Sequence, residues 1–357
     1  SAPVIQLIQS GRSEGQWQSD SQGLSSKDMA MFLVMPEIDG RLGGLIVGHR
    51  ADAVWHERCQ IPLTAYAPDY NGIARAASLA ANWSRLRATP RPDRRIALVL
   101  ANYPIRDGRL ANGVGYDAPE STVEILHALQ NAGYAVGDPP PPAGEGLRAG
   151  RRQNRSGGAI LGEEALRAKL KRPAESGGGG GHTLDLSLTS ATLITALQSG
   201  PTNANPSRGT SPARLTLARY ATLFAALPQK IRAEVTARWG DPASDPFVRT
   251  DTFHLPALIF GNLAILIQPA RGYHLDETAS YHDPALVPPH AYLAAYLWLR
   301  HDFAAHALIH NGKHGTLEWL PGKATALDAA SYPDALWCQL PHLYPFIVND
   351  PGEGTQA

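Results

Sequence analysis

The sequence predicts an α/β protein of parallel-sheet lobes with flanking helices, because apolar runs of strand length alternate with stretches of helical periodicity. The runs are Ile96 to Ala101 after a basic stretch, Ala257 to Ile267 around Gly261, and Ala305 to His310, with Val4 to Ile8 strand-like near the start. Tyr70 to Arg87 is rich in Ala and Leu at helical spacing, and Ser121 to Ala132 sets Val123, Ile125, Leu126 and Leu129 on one side. Pro289 to Arg300 opens with prolines suited to a first helical turn. Leu184 to Gln198 and Ala213 to Gly240 also read as helical, their charged residues forming solvated faces.

Four prolines at Pro139 to Pro142 and five glycines at Gly177 to Gly181 bound a stretch of changed composition. It predicts two lobes, 1–137 and 183–357, joined by a Pro/Gly-rich surface insertion or linker over 138–182, with the candidate site in the second lobe. The start at Ser1 without Met and the end at Ala357, straight after a motif-like segment, read as those of an internal fragment.

In 357 residues, 43% are hydrophobic, enough for sizeable cores. Lys plus Arg and Asp plus Glu number 32 each, so no net field favours nucleic acid or an anionic membrane. Two cysteines, Cys59 and Cys338, make neither a disulfide framework nor a zinc pattern, which fits a reducing cytoplasm. No apolar run approaches the roughly 20 residues that span a bilayer.

Nine of the thirteen histidines fall between His254 and His342, so coordinating groups concentrate toward the C-terminal end. The densest cluster, His310 to Lys323, follows an apolar run. If a helix begins after Gly315, the four-residue spacing places His314 and Glu318 on one side, an imidazole and a carboxylate suited to a divalent metal or to proton transfer. Arg271 and Tyr273 follow a second apolar run and His282 lies just beyond; strand ends in α/β folds frequently face ligands, and Arg271 presents a planar fork for a carboxylate or a structural salt bridge. Asn349 to Gly352 is turn chemistry that leaves Glu353 as a second carboxylate. The loop after Ile96 to Ala101 is neither GxGxxG nor a phosphate loop, and HExxH is absent.

Together, Arg95 to Pro104, Gln268 to Tyr273, Tyr281 to Pro284, His314 to Lys323 and Asn349 to Gln356 resemble, in order, the cobaltochelatase CobN and magnesium chelatase H-subunit family, from about Pro3 to Ala357. Leu317-Glu318-Trp319-Leu320-Pro321-Gly322-Lys323 and Asn349 to Gln356 look like the cobalt branch. The magnesium branch usually has Phe after that Glu and an Asn-Asn-Pro-Ser-Glu segment.

The resemblance implies part of a large subunit that binds the tetrapyrrole and the metal in an ATP-dependent chelatase. Co(II) would be inserted into hydrogenobyrinic acid a,c-diamide in aerobic cobalamin synthesis. ATP would be used by separate AAA+ ATPase subunits of the CobS/CobT type, in keeping with the missing phosphate loop. Glu318 is then the expected base or metal ligand, His314 a ligand or proton-transfer aid, and Glu353 a further acidic ligand. Arg271 and Lys323 would meet the macrocycle's carboxylates, with Tyr273 and His282 beside them. The alternatives are a magnesium chelatase H subunit acting on protoporphyrin IX and a non-catalytic scaffold that docks the ATPase. The chain alone is expected to be inactive as a chelatase.

Overall fold

The computed structural model describes residues 3–102, 112–113, 116–137, 188–273, 283–312, 315–337 and 339–344. The chain opens with β1 (Ile5–Ser10), α1 (Glu14–Ser19), α2 (Ser26–Met29), a π-helical turn Ala30–Val34 and α3 (Met35–Ile38). Then come β2 (Leu42–Arg50), β3 (Val54–His56), β4 (Ile61–Leu63), β5 (Tyr66–Pro68) and α4 (Tyr70–Ala88). Here β1 and β2 pair in parallel and β5 joins β2 antiparallel, while β3 and β4 form a separate hairpin. Ser13 and Gln16 close a capping box on α1, and Asp69 caps α4 by accepting the Gly72 N–H at 2.9 Å. Gly72 lets α4 lie directly on the sheet, since a Cβ there would stand 1.8 Å from the Ile46 carbonyl oxygen.

The rest of the chain supplies β6 (Ile96–Leu100), β7 (Asn112–Gly113), β8 (Tyr116–Asp117), α5 (Ala118–Asn131), α6 (Ser190–Ser199), β9 (Arg214–Thr216), α7 (Leu217–Ala225) and α8 (Gln229–Trp239). It continues through β10 (Val248–Arg249), β11 (Thr252–His254), β12 (Ala257–Phe260), β13 (Leu263–Ile267), α9 (His290–His301), β14 (Ala307–Asn311), α10 (Tyr332–Trp337) and β15 (His342–Leu343). Five strands form the principal sheet in the order β12-β13-β6-β14-β15. All its pairings are parallel except β12 with β13.

Each position of β6 is buried, as a parallel strand covered on both faces requires. Its side chains alternate between two cores. Ala97 and Val99, with Ala264 and Leu266 of β13, meet α9, whose residues His290 to Leu299 are all buried. Ile96, Leu98 and Leu100, with Leu263, Ile265 and Ile267, meet Val123 and Leu126 of α5 and Leu193 and Leu197 of α6. The α/β class with parallel sheets and flanking helices is therefore the fold.

Local expectations change in four places. The run Ala257 to Ile267 is two antiparallel strands turning at Gly261, whose φ of +58° suits glycine in a two-residue hairpin loop. Ala213 to Gly240 divides into β9, α7 and α8, with Thr216 capping α7. The division into 1–137 and 183–357 does not follow the sheet, because β6 lies between β13 and β14. After Gly315 the chain makes successive turns, Trp319 N–H to Thr316 O and Leu320 N–H to Leu317 O, instead of a helix. The 138–182 insertion and the region of Asn349 to Gln356 lie outside the described residues. Among the described residues no helix is long and apolar enough to cross a membrane.

Segment 323–334 ties the first layer to the principal sheet. Arg75 on α4 reaches the Leu327 carbonyl at 2.8 Å and the Asp334 carboxylate on α10 at 2.6 Å, and the Trp17 indole donates to the Ala326 carbonyl at 3.2 Å.

Candidate functional site

Register places the carboxyl ends of three strands side by side, since Ile267 of β13 and Asn311 of β14 both pair with Leu100 of β6. Such an edge is where open α/β sheets hold ligands. Two glycines let the chain leave β14 in this crowded place. A Cβ on Gly312 would meet the Ala101 Cβ at 2.7 Å, and one on Gly315 would lie 1.8 Å from Cε1 of the buried His310. The backbone at Gly315 thus passes over the His310 imidazole and delivers Glu318, half-buried, to the sheet's carboxyl edge.

Side chains from two strand ends hold that turn. Gln268, following β13, accepts the Thr316 N–H on Oε1 at 2.9 Å. Its Nε2 donates to the hydroxyls of Tyr292 at 3.0 Å and Tyr296 at 2.8 Å, and Tyr292 shares a 3.0 Å bond with the Thr316 hydroxyl. Tyr344, following β15, accepts the Gly315 N–H and donates to Glu318 Oε1 at 2.8 Å. Its ring lies 4.8 Å from that of His310 and 5.7 Å from that of His342, centre to centre.

Burial pushes both tyrosine hydroxyls on α9 up, and the charge of Glu318 adds to the rise; the bond with Thr316 and the nearby Arg271 oppose it at Tyr292. Both phenols are protonated at neutral pH. The turn bearing Glu318 therefore rests against neutral hydroxyl groups.

The expected site residues divide. Glu318 and Arg271 come together at this edge: Nη2 of the buried Arg271 donates to the carbonyls of Trp319 at 2.8 Å and Asp283 at 2.5 Å. Arg271 is thus a clip between the Glu318 turn and the segment before α9. Tyr273 donates instead to the buried Asp245 carboxylate, which also accepts the Phe247 and Ala291 N–H groups. Lys323 is occupied elsewhere: its ammonium bonds the carbonyls of Trp17, Gln18 and Asp20 and lies 4.9 Å over the Trp17 ring. His314, His282 and Glu353 lie outside the described residues. Among the described residues, no three His, Cys, Asp or Glu side chains group closely enough to hold a metal.

Sequence reasoning assigned no role to Gln268, Tyr292, Tyr296 or Tyr344. Their signals were a polar residue directly after an apolar strand and two tyrosines four apart on one helix.

An open α/β sheet with a polar, carboxylate-bearing turn at its carboxyl edge places the molecule in the class of folds whose ligands commonly sit at that edge. The chain belongs to the CobN/magnesium chelatase family, whose description matches residues 1–357. It is 44% identical over 356 residues to the aerobic cobaltochelatase subunit CobN of Sinorhizobium sp, covering 100% of this chain and 24% of that protein. The magnesium-chelatase H subunit of Chlorobaculum parvum is 30% identical over 339 residues, 94% of this chain and 22% of that protein. The solved catalytic subunit of cobaltochelatase from Mycobacterium tuberculosis superimposes with a TM-score of 0.73 at 34% identity, covering 100% of this chain and 26% of that one. The chain spans about a quarter of the length of these relatives.

Proposed function

We propose that this chain is the part of a cobaltochelatase large subunit that presents Glu318 to the metal and the tetrapyrrole, with Co(II) and hydrogenobyrinic acid a,c-diamide as substrates in aerobic cobalamin synthesis. The observation that carries this reading is the Glu318 turn, pinned at the carboxyl edge of the parallel sheet by Gln268 and Tyr344. The higher identity to the CobN relative than to the magnesium-chelatase relative, 44% against 30%, supports cobalt over magnesium.

Insertion requires a ring held with its nitrogens toward a dehydrated ion and a base that takes the inner protons. Glu318 fills the role of base or metal ligand, with His314 and Glu353 as its proposed companions. Arg271 holds the turn in place from a buried position, a role that differs from meeting the macrocycle's carboxylates. ATP is hydrolysed by separate AAA+ subunits of the CobS/CobT type, and the setting is the cytoplasm.

The test is a fluorescence titration of the full-length subunit carrying this sequence with metal-free hydrogenobyrinic acid a,c-diamide, with protoporphyrin IX as comparison. Saturable binding of the corrin, with Co(II) insertion lost in Glu318→Ala, is the expected result. Preference for the porphyrin transfers the reading to magnesium. Binding of neither ring transfers it to a scaffold that docks the ATPase.

A further inference from the structure

We propose that Tyr344 is the positioning residue for the Glu318 carboxylate; this rests on the proposed role of Glu318. A phenol has one proton to give. The Gly315 N–H occupies an acceptor site on the Tyr344 oxygen, and the proton is directed at Glu318 Oε1, 2.8 Å away. Both bonds arise from one short turn, so a single hydroxyl fixes the backbone at Gly315 and the carboxylate three residues later.

The phenol itself is held. Tyr344 follows β15, which pairs in parallel with β14 through Leu308 and His342, and its ring packs on His310 of β14 at 4.8 Å. Rigid placement of the donor removes orientations of Glu318 that face away from a bound ring and ion. A hydrogen-bonding partner behind a metal-facing or proton-accepting group commonly contributes about 10-fold to 100-fold. The tyrosines of α9 do not duplicate it: the Tyr292 hydroxyl is engaged with Gln268 and Thr316, and that of Tyr296 with Gln268.

The experiment uses the full-length subunit with its ATPase partners, Co(II), hydrogenobyrinic acid a,c-diamide and ATP. Tyr344→Phe keeps the ring on His310 and removes only the hydroxyl. It is expected to lower kcat by about 10-fold to 100-fold and to leave KM for the corrin within about twofold. 4-Aminophenylalanine at 344 returns a donor and restores kcat to within about threefold, whereas 4-fluorophenylalanine does not. Those two variants decide the matter if Tyr344→Phe fails to fold. A kcat within about twofold of wild type in Tyr344→Phe or the fluoro variant overturns the proposal, as does a loss confined to KM. Glu318→Gln separates the two readings. If it is active, the assignment of Glu318 fails; if it is inactive while the Tyr344 variants keep their kcat, only the role of Tyr344 fails.

Discussion

Gln268 and Thr316, 48 positions apart in sequence, are joined by a 2.9 Å bond from the Thr316 N–H to the Gln268 carboxamide oxygen. A side chain at the end of β13 thereby fixes the turn that carries Glu318 after β14. The amide cannot be reversed, because the Thr316 N–H can only donate and so requires the carboxamide oxygen opposite it.

Gln268→Leu keeps the approximate volume and removes three hydrogen bonds, two of them buried. Leaving the Thr316 N–H and the two phenols with a partner gone is expected to cost about 2 to 3 kcal/mol. Urea unfolding of the full-length subunit measures it as a lower midpoint. Because the Glu318 turn loses its anchor on β13, corrin affinity should fall as well. A variant with wild-type stability would show that the carboxamide is not what holds the turn.

Lys323→Met tests the second anchor. Lys323 lost its expected place beside the macrocycle, and its ammonium closes the C-terminal end of α1, where three carbonyls face one cation. Burial lowers its pKa, while Asp328 and Asp20 oppose the shift. Met retains the apolar stem on Trp17 and removes the charge, at a cost of about 2 kcal/mol. Faster hydrogen exchange through residues 14–24, with unchanged exchange in β6, is the expected outcome. Unchanged exchange in both would show that the ammonium contributes nothing to holding α1.

The sheet was more legible in the sequence than the site. Ile96 to Leu100 reads as a buried parallel strand because burial on both faces leaves no polar alternation, and it is the middle strand. The hairpin at Gly261-Asn262 was hidden by apolar residues on both sides, although a Gly-Asn pair between two such runs is a turn signal. Glu318 was singled out by its motif, and the structure brings it to the carboxyl edge. Lys323 could not be placed from local text, since the carbonyls it binds lie some 300 positions earlier. The same holds for Tyr273, whose partner Asp245 is selected by packing around α9. A residue type advertises what it can bond, and the tertiary fold decides which partner it meets.

His290 gives the pH dependence a direction. Its ring lies between the Tyr220 hydroxyl at Nδ1, 2.8 Å, and the Gly240 carbonyl at Nε2, 3.1 Å. The carbonyl only accepts, so Nε2 carries the proton and Nδ1 accepts from the phenol. Burial pushes His290 below its ordinary value of 6.5, opposed by the Gly240 carbonyl and by Asp245 and Asp241. Above pH 6.5 the ring is neutral in both folded and unfolded chains, and the stability linked to it is fully present. As pH falls below 6.5 the unfolded chain takes up the proton first, so stability is lost progressively down to the folded value. His254, His301, His306 and His342 are shifted the same way and add to the decline. In urea titrations, the midpoint should fall between pH 7.5 and pH 5 by more in the wild type than in His290→Gln. The variant keeps a donor toward Gly240, starts from a lower stability at pH 7.5 and lacks the proton that destabilises. Equal declines in the two proteins would remove His290 from the linkage and leave the acid sensitivity to the other four histidines.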